Sequence, residues 1–284
     1  MKIAVASGKG GTGKTTLAIA LALSLEEEET FLLDCDVEEP NIHLFLPFKD
    51  CENKAISILC PLIATDACTG CGLCVEQCMY NAIVKIKQKA MVFTELCHGC
   101  GACALICPEK AITEIEHHIG NLSTSQGNFL NLVQGCLDIG NPLAIPVIKA
   151  VKKAAPSKTP WIILDCPPGT SCSMIHSISG ADAIILVTEP TPFGYHDLKL
   201  AVNTLKSFSN AFFGVIINRC NSGDESIINY CNKENIPILL QIPESRKIAE
   251  AYAQGSSLLE VMPEYKVILK SLLYDLKQKA GQAI

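Results

Sequence analysis

The chain has 284 residues, 49% of them hydrophobic and 18% charged, with a net charge of −6. That content supports a buried core in one large or two modest domains, and the acidic balance lacks the basic face that nucleic acid binding requires. No apolar run reaches the roughly 18 residues of a membrane span, and MKIAVASGKG is too short and wrongly flanked for an export signal, so a cytoplasmic location and no stable membrane association are expected.

KIAVAS at 2–7 is a short β-rich run that stops at Gly8, and TTLAIALALSLEEE from Thr15 has helical spacing and good helix formers. Between them GKGGTGKTT fits the phosphate-loop pattern G-x-x-x-x-G-K-[ST] through Gly8, Gly13, Lys14 and Thr15, in the required context of strand, glycine loop and helix. Glycines let backbone N–H groups curl round phosphates, and the helix N-terminus adds its positive end. The expected phosphate site is Gly8, Lys9, Gly10, Gly11, Thr12, Gly13, Lys14, Thr15 and Thr16, with Lys14 on the β and γ oxygens and Thr15 on Mg²⁺.

TFLLDCD at 30–36 is a second strand ending in acids, and Pro40 ends its regularity. Asp34 and Asp36 lie two apart, so on a strand their side chains point the same way. One would serve Mg²⁺ and the other would orient the attacking water.

From about 60 to 115 the text is rich in cysteine and glycine, and it repeats itself. CTGCGLCVEQC at 68–78 returns 29 residues later as CHGCGACALIC at 97–107, each with the spacing C-x2-C-x2-C-x3-C. This is the bacterial ferredoxin run, in which three thiolates hold one [4Fe-4S] cube and the fourth reaches the other. The expected sets are Cys68, Cys71, Cys74 with Cys107, and Cys97, Cys100, Cys103 with Cys78. Tetrahedral zinc is the rival occupant. The first copy has Met79 where the second has Pro108, and Met79 is expected to pack beside a cluster. Residues 60–115 thus read as a small inserted α+β domain in a frame made of 1–59 and 116–284; AITEIEHHIG is expected to be its last strand, and polar NLSTSQG to link it back to that frame.

WIILDCPPG (161–169), AIILVTEPTP (183–192), FFGVIINRC (212–220) and IPILLQIPE (236–244) are near-continuous apolar runs, as in strands buried on both faces. Helical stretches at about 194–207, 222–234 and 244–253 alternate with them. The expected fold is α/β, a doubly wound and mostly parallel sheet with its ligand crevice at the C-terminal strand ends. Asp165, closing WIILD, is a further expected Mg²⁺ ligand. The C-terminal EYKVILKSLLYDLKQKAGQ predicts an amphipathic helix through Val267, Ile268, Leu272, Leu273 and Leu276, docked on the sheet.

KGGTGKTT, with Lys9 ahead of Lys14, resembles the deviant Walker A box of the MinD/ParA-type ATPases, P-loop relatives of the nitrogenase iron protein. The resemblance covers most of 1–45 and 130–255. It implies Mg²⁺-dependent ATP hydrolysis in an ATP-sandwiched homodimer, with Lys9 reaching the partner's nucleotide. LDCDVEEPN resembles switch I with Asp36 activating water, LDCPPGTS resembles Walker B and switch II, and INRC and IPES resemble the adenine-holding segments, which nominates Asn218, Arg219 and Pro243. The nitrogenase iron protein carries a bridging-cluster ligand at the offset of Cys172, seven residues after Asp165, with Cys136 as a second candidate. The whole resembles MinD-superfamily ATPases with an inserted ferredoxin domain. It implies coupling of nucleotide state to electron transfer with a redox partner protein. The alternatives are an ATP-dependent carrier delivering Fe–S or another metal cofactor to an accepting protein, and a MinD-like positioning ATPase.

Overall fold

The structure, a computed structural model, describes residues 1–46, 51–220 and 225–282. In chain order the strands are β1 (Lys2–Ala6), β2 (Thr30–Asp34), β3 (Glu52–Ile63), β4 (Ile83–Ile86), β5 (Lys89–Val92), β6 (Ile112–Ser125), β7 (Leu130–Leu137), β8 (Trp161–Asp165), β9 (Ala183–Thr188), β10 (Phe212–Cys220) and β11 (Ile238–Pro243). Nine of them form one sheet in the order β11-β10-β9-β1-β8-β2-β7-β6-β3, while β4 and β5 make a separate hairpin. From β11 to β7 the strands are parallel, and β6 and β3 complete the sheet antiparallel.

The helices are α1 (Lys14–Leu23), α2 (Leu73–Gln77), α3 (Ala102–Ile106), α4 (Ala144–Ala154), α5 (Cys172–Ile178), α6 (Pro192–Phe208), α7 (Ser226–Lys233), α8 (Arg246–Ala253), α9 (Leu258–Val261) and α10 (Tyr265–Gln282). The first three residues of the helix expected at 222–234 lie outside the described residues. Alternate strand residues serve opposite faces. Ile3, Val5, Ile163 and Ile185 pack with α1, α9 and α10, while Ala4, Ala6, Leu164 and Ile184 pack with α4, α5, α6 and α7. The apolar runs are therefore continuous because both faces are covered.

Helix α10 docks on the sheet through three of the five expected residues, with Leu269 in place of Val267 and Ile268. Leu269, Leu272, Leu273 and Leu276 are buried, whereas Val267 is 75% exposed and Ile268 43%. At roughly 1.5–3 kcal/mol for each fully buried leucine, that face holds the helix down. No helix among the described residues is long and apolar enough to cross a membrane.

The cysteine-rich segment departs most from expectation. NLSTS is the end of β6 rather than a linker, and β7, a strand the apolar runs did not announce, pairs with it. The expected limits of the insert, 60 and 115, fall inside β3 and β6, whose register runs unbroken in pairing from Glu52↔Thr124 to Ile63↔Ile112 apart from one bulge. The chain thus enters and leaves the cysteine module along a two-stranded ribbon continuous with the main sheet. Pro61 is tolerated because β3 is the outermost strand and needs no partner on its far side.

Candidate functional site

The phosphate loop begins where β1 ends. Ser7 Oγ donates to the Lys9 carbonyl at 2.7 Å, and Gly13, at φ 88°, turns the chain into α1, whose first bond runs from Leu17 N–H to the Gly13 carbonyl. Parallel pairing places Asp165 level with Val5 on one side and Asp34 on the other, so three strand ends meet beneath the loop. There Lys14 Nζ donates to Asp165 Oδ1 at 3.1 Å and lies 3.6 Å from Asp36 Oδ2, and Thr15 Oγ1 donates to Asp165 Oδ2 at 2.5 Å. Burial works against the Lys14 charge, but Asp165 and Asp36 outweigh it and raise its pKa.

The two acids after β2 have different surroundings. Strand β2 stops at Asp34, so two-residue alternation does not carry to Asp36. Asp34 Oδ1 accepts from the Asp36 N–H at 3.1 Å, and Oδ2 accepts from Asn41 and Ile42 at 3.0 and 3.2 Å. Both its oxygens organise the 35–42 loop, and that loop delivers Asp36 to Lys14. Burial, with Asp165 adding to it against the relief from Lys14, raises the Asp36 pKa to about 6.

A raised carboxyl pKa means that the folded state holds the proton more tightly than the unfolded chain. Asp36 therefore contributes stability below about pH 4 that is lost as pH rises to about 6, beyond which the loss is complete. In the difference between native and Asp36→Asn unfolding curves, the native protein should lose ground to the variant across pH 4–6 without nucleotide. Denaturant titrations at pH 3.5, 5, 6 and 8 check this, and a pH-independent difference would contradict it.

Above the loop lies a cleft of roughly 1000 Å³. It is lined by Gly10, Gly11, Gly13, Lys14, Thr15, Thr16 and Asp36 from the phosphate side and by Asn218, Arg219 and Pro243 from the expected adenine side. Gly8, Lys9, Thr12, Asp34 and Asp165 stand behind or beside this wall. Asn218 Nδ2 donates to the Thr12 carbonyl at 2.8 Å, tying β10 to the loop. Thr12 Oγ1 and Asn41 Oδ1 are buried without a hydrogen-bond partner, the state expected of groups that complete their bonding on a polar ligand. The donor set and these orphaned atoms fit a magnesium nucleotide: Thr15 and Asp165 would hold the ion, and Lys14 the phosphates.

Glu189, directly after β9, belongs to no sequence motif. The structure gives it both cations at the cleft rim: Lys9 Nζ at 3.3 Å from Oε2, and Arg219 Nη1 at 2.5 Å from Oε1. Arg219 reaches it from the left-handed region, φ 54°. Tyr252, on α8, is a further cleft residue without a sequence motif, and its ring lies 5.2 Å from that of Phe45.

In the cysteine module the sheet ribbon, the β4–β5 hairpin and the short helices α2 and α3 bring the two repeats together. Cys68, Cys71, Cys74 and Cys107 line one cavity together with Pro108 and Lys85. Cys78 does not line it; it packs against the cluster of Cys97, Cys60 and Ala82 and also against that of Cys74, Ile83, Ala90 and Ile112. Backbone N–H groups point at sulfur, from Ala82 to Cys78 at 3.3 Å and from Gly99 to Cys97 at 3.4 Å. N–H donation from Ala90 and Gly70 lowers the Cys68 pKa, favouring its thiolate. Gly70, at φ 70°, is required because a Cβ there would sit 2.2 Å from the Gln88 carbonyl oxygen in the hairpin turn.

No three His, Cys, Asp or Glu among the described residues are gathered so as to hold a metal ion. Met79 does not pack beside these sulfurs; it is 83% exposed. Cys172 and Cys136 are exposed, on α5 and β7. His118 is partnered on the surface, its Nδ1 2.8 Å from Asp138 Oδ2.

Comparison with known proteins agrees with this geometry. Two proteins of Methanocaldococcus jannaschii described as uncharacterized are similar across most of their length: MJ0579, 31% identical over 92% of each chain, and MJ0578, 33% identical over 86% of this chain and 87% of its own. Among solved structures, the septum site-determining protein MinD of Pyrococcus horikoshii, complexed with Mg-ADP, aligns with TM-score 0.57 and 21% identity over 100% of this chain and 98% of its own. A variant of Cyanothece McdA in complex with ATP aligns with TM-score 0.58 and 18% identity over 97% and 96%. At these identities the likeness shows the fold. Residues 3–259 match the family described as the CobQ/CobB/MinD/ParA nucleotide binding domain, and the chain belongs to that family.

Proposed function

We propose that this chain is a Mg²⁺-dependent ATPase, acting as an ATP-sandwiched homodimer, that couples its nucleotide state to electron transfer through two [4Fe-4S] clusters in the cysteine module. The observation that carries the redox half is the cavity that Cys107 of the second repeat shares with Cys68, Cys71 and Cys74 of the first. When bound, such clusters supply one-electron transfer.

Lys14 is now neutralised by Asp165 and Asp36. With MgATP it turns to the phosphates, Asp165 and Thr15 take the ion, and Asp36 is left to orient water for in-line attack. In a dimer Lys9 leaves Glu189 for the partner's nucleotide. Coupling to the module runs through neighbouring strands: the loop after β2 is bridged to β7 by His43 Nδ1 and Gln134 Oε1 at 3.0 Å, and β7 pairs with β6 of the ribbon.

Anaerobically purified protein should contain about eight irons and eight sulfides per chain, and the reduction potential of its EPR-active clusters should move when MgATP is added. Full iron content with neither a potential shift nor a change in electron-transfer rate would overturn the coupling. In that case, MgATP-dependent transfer of labelled iron and sulfide to an apo-protein, abolished by Lys14→Ala, would favour the carrier. A second reading, a positioning ATPase, is favoured by the likeness to MinD. Its expected signature is MgATP-dependent sedimentation with lipid vesicles, although the apolar face of α10 is occupied by the sheet.

A further inference from the structure

The two thiol groups are not equivalent. The wall of the first cavity holds Cys68, Cys71, Cys74 and Cys107 and no fifth cysteine among the described residues. The second group has one more thiol than the repeat pattern demands. Cys60, outside both repeats, is 1% exposed on β3, and it shares a small buried cluster with Cys97 and Ala82, against which Cys78 packs. Its thiol lies close enough to those of Cys97 and Cys103 to interact with them electrostatically. Three of the four thiols expected at the second site thus lie near Cys60.

The backbone also differs between the two fourth ligands. Cys107 is followed by Pro108, whose ring fixes φ and forms part of the first cavity wall. Cys78 is followed by Met79, which faces solvent and constrains nothing. Cys60 sits instead on a strand paired residue by residue, opposite Ile115 of β6. The second site therefore has a fourth ligand held by the Ala82 N–H rather than by a following proline and, near it, a spare thiol fixed on a paired strand.

We propose that Cys60 is a reserve ligand of the second cluster site, able to take the iron that Cys78 holds. The exchange is a substitution without redox change: Cys60 loses its proton as its sulfur bonds iron, and the departing Cys78 sulfur accepts one. This inference rests on the cluster reading given above, and it confines ligand exchange to the second site.

The test uses the full chain, reconstituted anaerobically with ferrous iron and sulfide, with iron and sulfide counts, EPR of the reduced protein and MgATP binding as a check on the folded frame. Native protein, Cys78→Ser and Cys60→Ser should each hold about eight irons, with an altered second-cluster EPR signal in Cys78→Ser. The double variant and Cys107→Ser should each hold about four. A fall to about four in the single variant Cys78→Ser, or in both Cys60→Ser and Cys60→Ala, would overturn the reserve role, as would a double variant that keeps about eight. Cys60→Ala, an apolar replacement suited to the buried position, should match Cys60→Ser; iron loss in the serine variant alone is then a packing effect of the buried hydroxyl. Native protein that binds MgATP but no iron would instead defeat the cluster reading itself, and this inference with it.

Discussion

Asp165→Asn is expected to lower the stability of the nucleotide-free protein by about 2–4 kcal/mol and to abolish Mg²⁺-dependent hydrolysis. Asp165 is fully buried and serves two donors, Lys14 Nζ at 3.1 Å and Thr15 Oγ1 at 2.5 Å. The amide removes the charge but keeps the shape, so Lys14, itself 6% exposed, must be neutralised by Asp36 alone at 3.6 Å. Breaking a buried pair leaves the remaining ion poorly compensated, and the Asp36 contact keeps the loss below that of a fully orphaned lysine. Urea titration gives the first number. Nucleotide titration gives the second: affinity for ATP should lose its dependence on Mg²⁺ because the ion loses its carboxylate. A variant as stable as the native chain, with Mg²⁺-dependent binding intact, would show that Asp165 is an ordinary strand end.

Gly13→Ala should weaken nucleotide binding by about 100-fold and destabilise the fold by about 2–3 kcal/mol. Two causes act at once. The backbone sits at φ 88°, where an L-side chain is strained, and the new Cβ would lie 2.4 Å from Asn218 Nδ2. Asn218 must move, losing its bond to the Thr12 carbonyl and releasing the loop from β10. The two causes separate in a double-mutant cycle. Asn218→Ala alone should cost about 1 kcal/mol for the lost bond. Gly13→Ala with Asn218→Ala should cost less than the sum of the singles, because the clash is gone and the bond is lost once rather than twice. Strict additivity would assign the whole effect to the backbone.

The parts of the molecule legible in the amino-acid text share one property: their structure is set by neighbours in sequence. The phosphate loop is a local object, since Gly13 supplies the left-handed turn and Lys14 opens the helix that follows it. The strands Trp161–Asp165 and Ala183–Thr188 announce themselves because helices cover both faces, leaving no polar alternation. Strand β3 and the far end of β6 were hidden for the opposite reason. They belong to an exposed antiparallel ribbon, Pro61 interrupts the first, and the polar NLSTS gives the end of the second the look of a linker, although the AITEIEHHIG part of β6 was legible as a strand. Their pairing joins segments that lie far apart along the chain, and no local pattern announces it.

The text alone determined the phosphate loop, the doubly wound frame and the two cysteine repeats, because spacing along the chain is the chemistry in each case. Tertiary structure alone decided which distant groups share a space. Asp34 and Asp36, two residues apart, are parted by the end of β2, and one shapes a loop while the other meets Lys14. Lys9, Glu189 and Arg219 converge from three strand ends into one rim. Cys60, a cysteine with no motif, joins the second repeat because β3 runs past it. Such meetings depend on strand order and register, which pairing between remote segments sets and local spacing cannot encode.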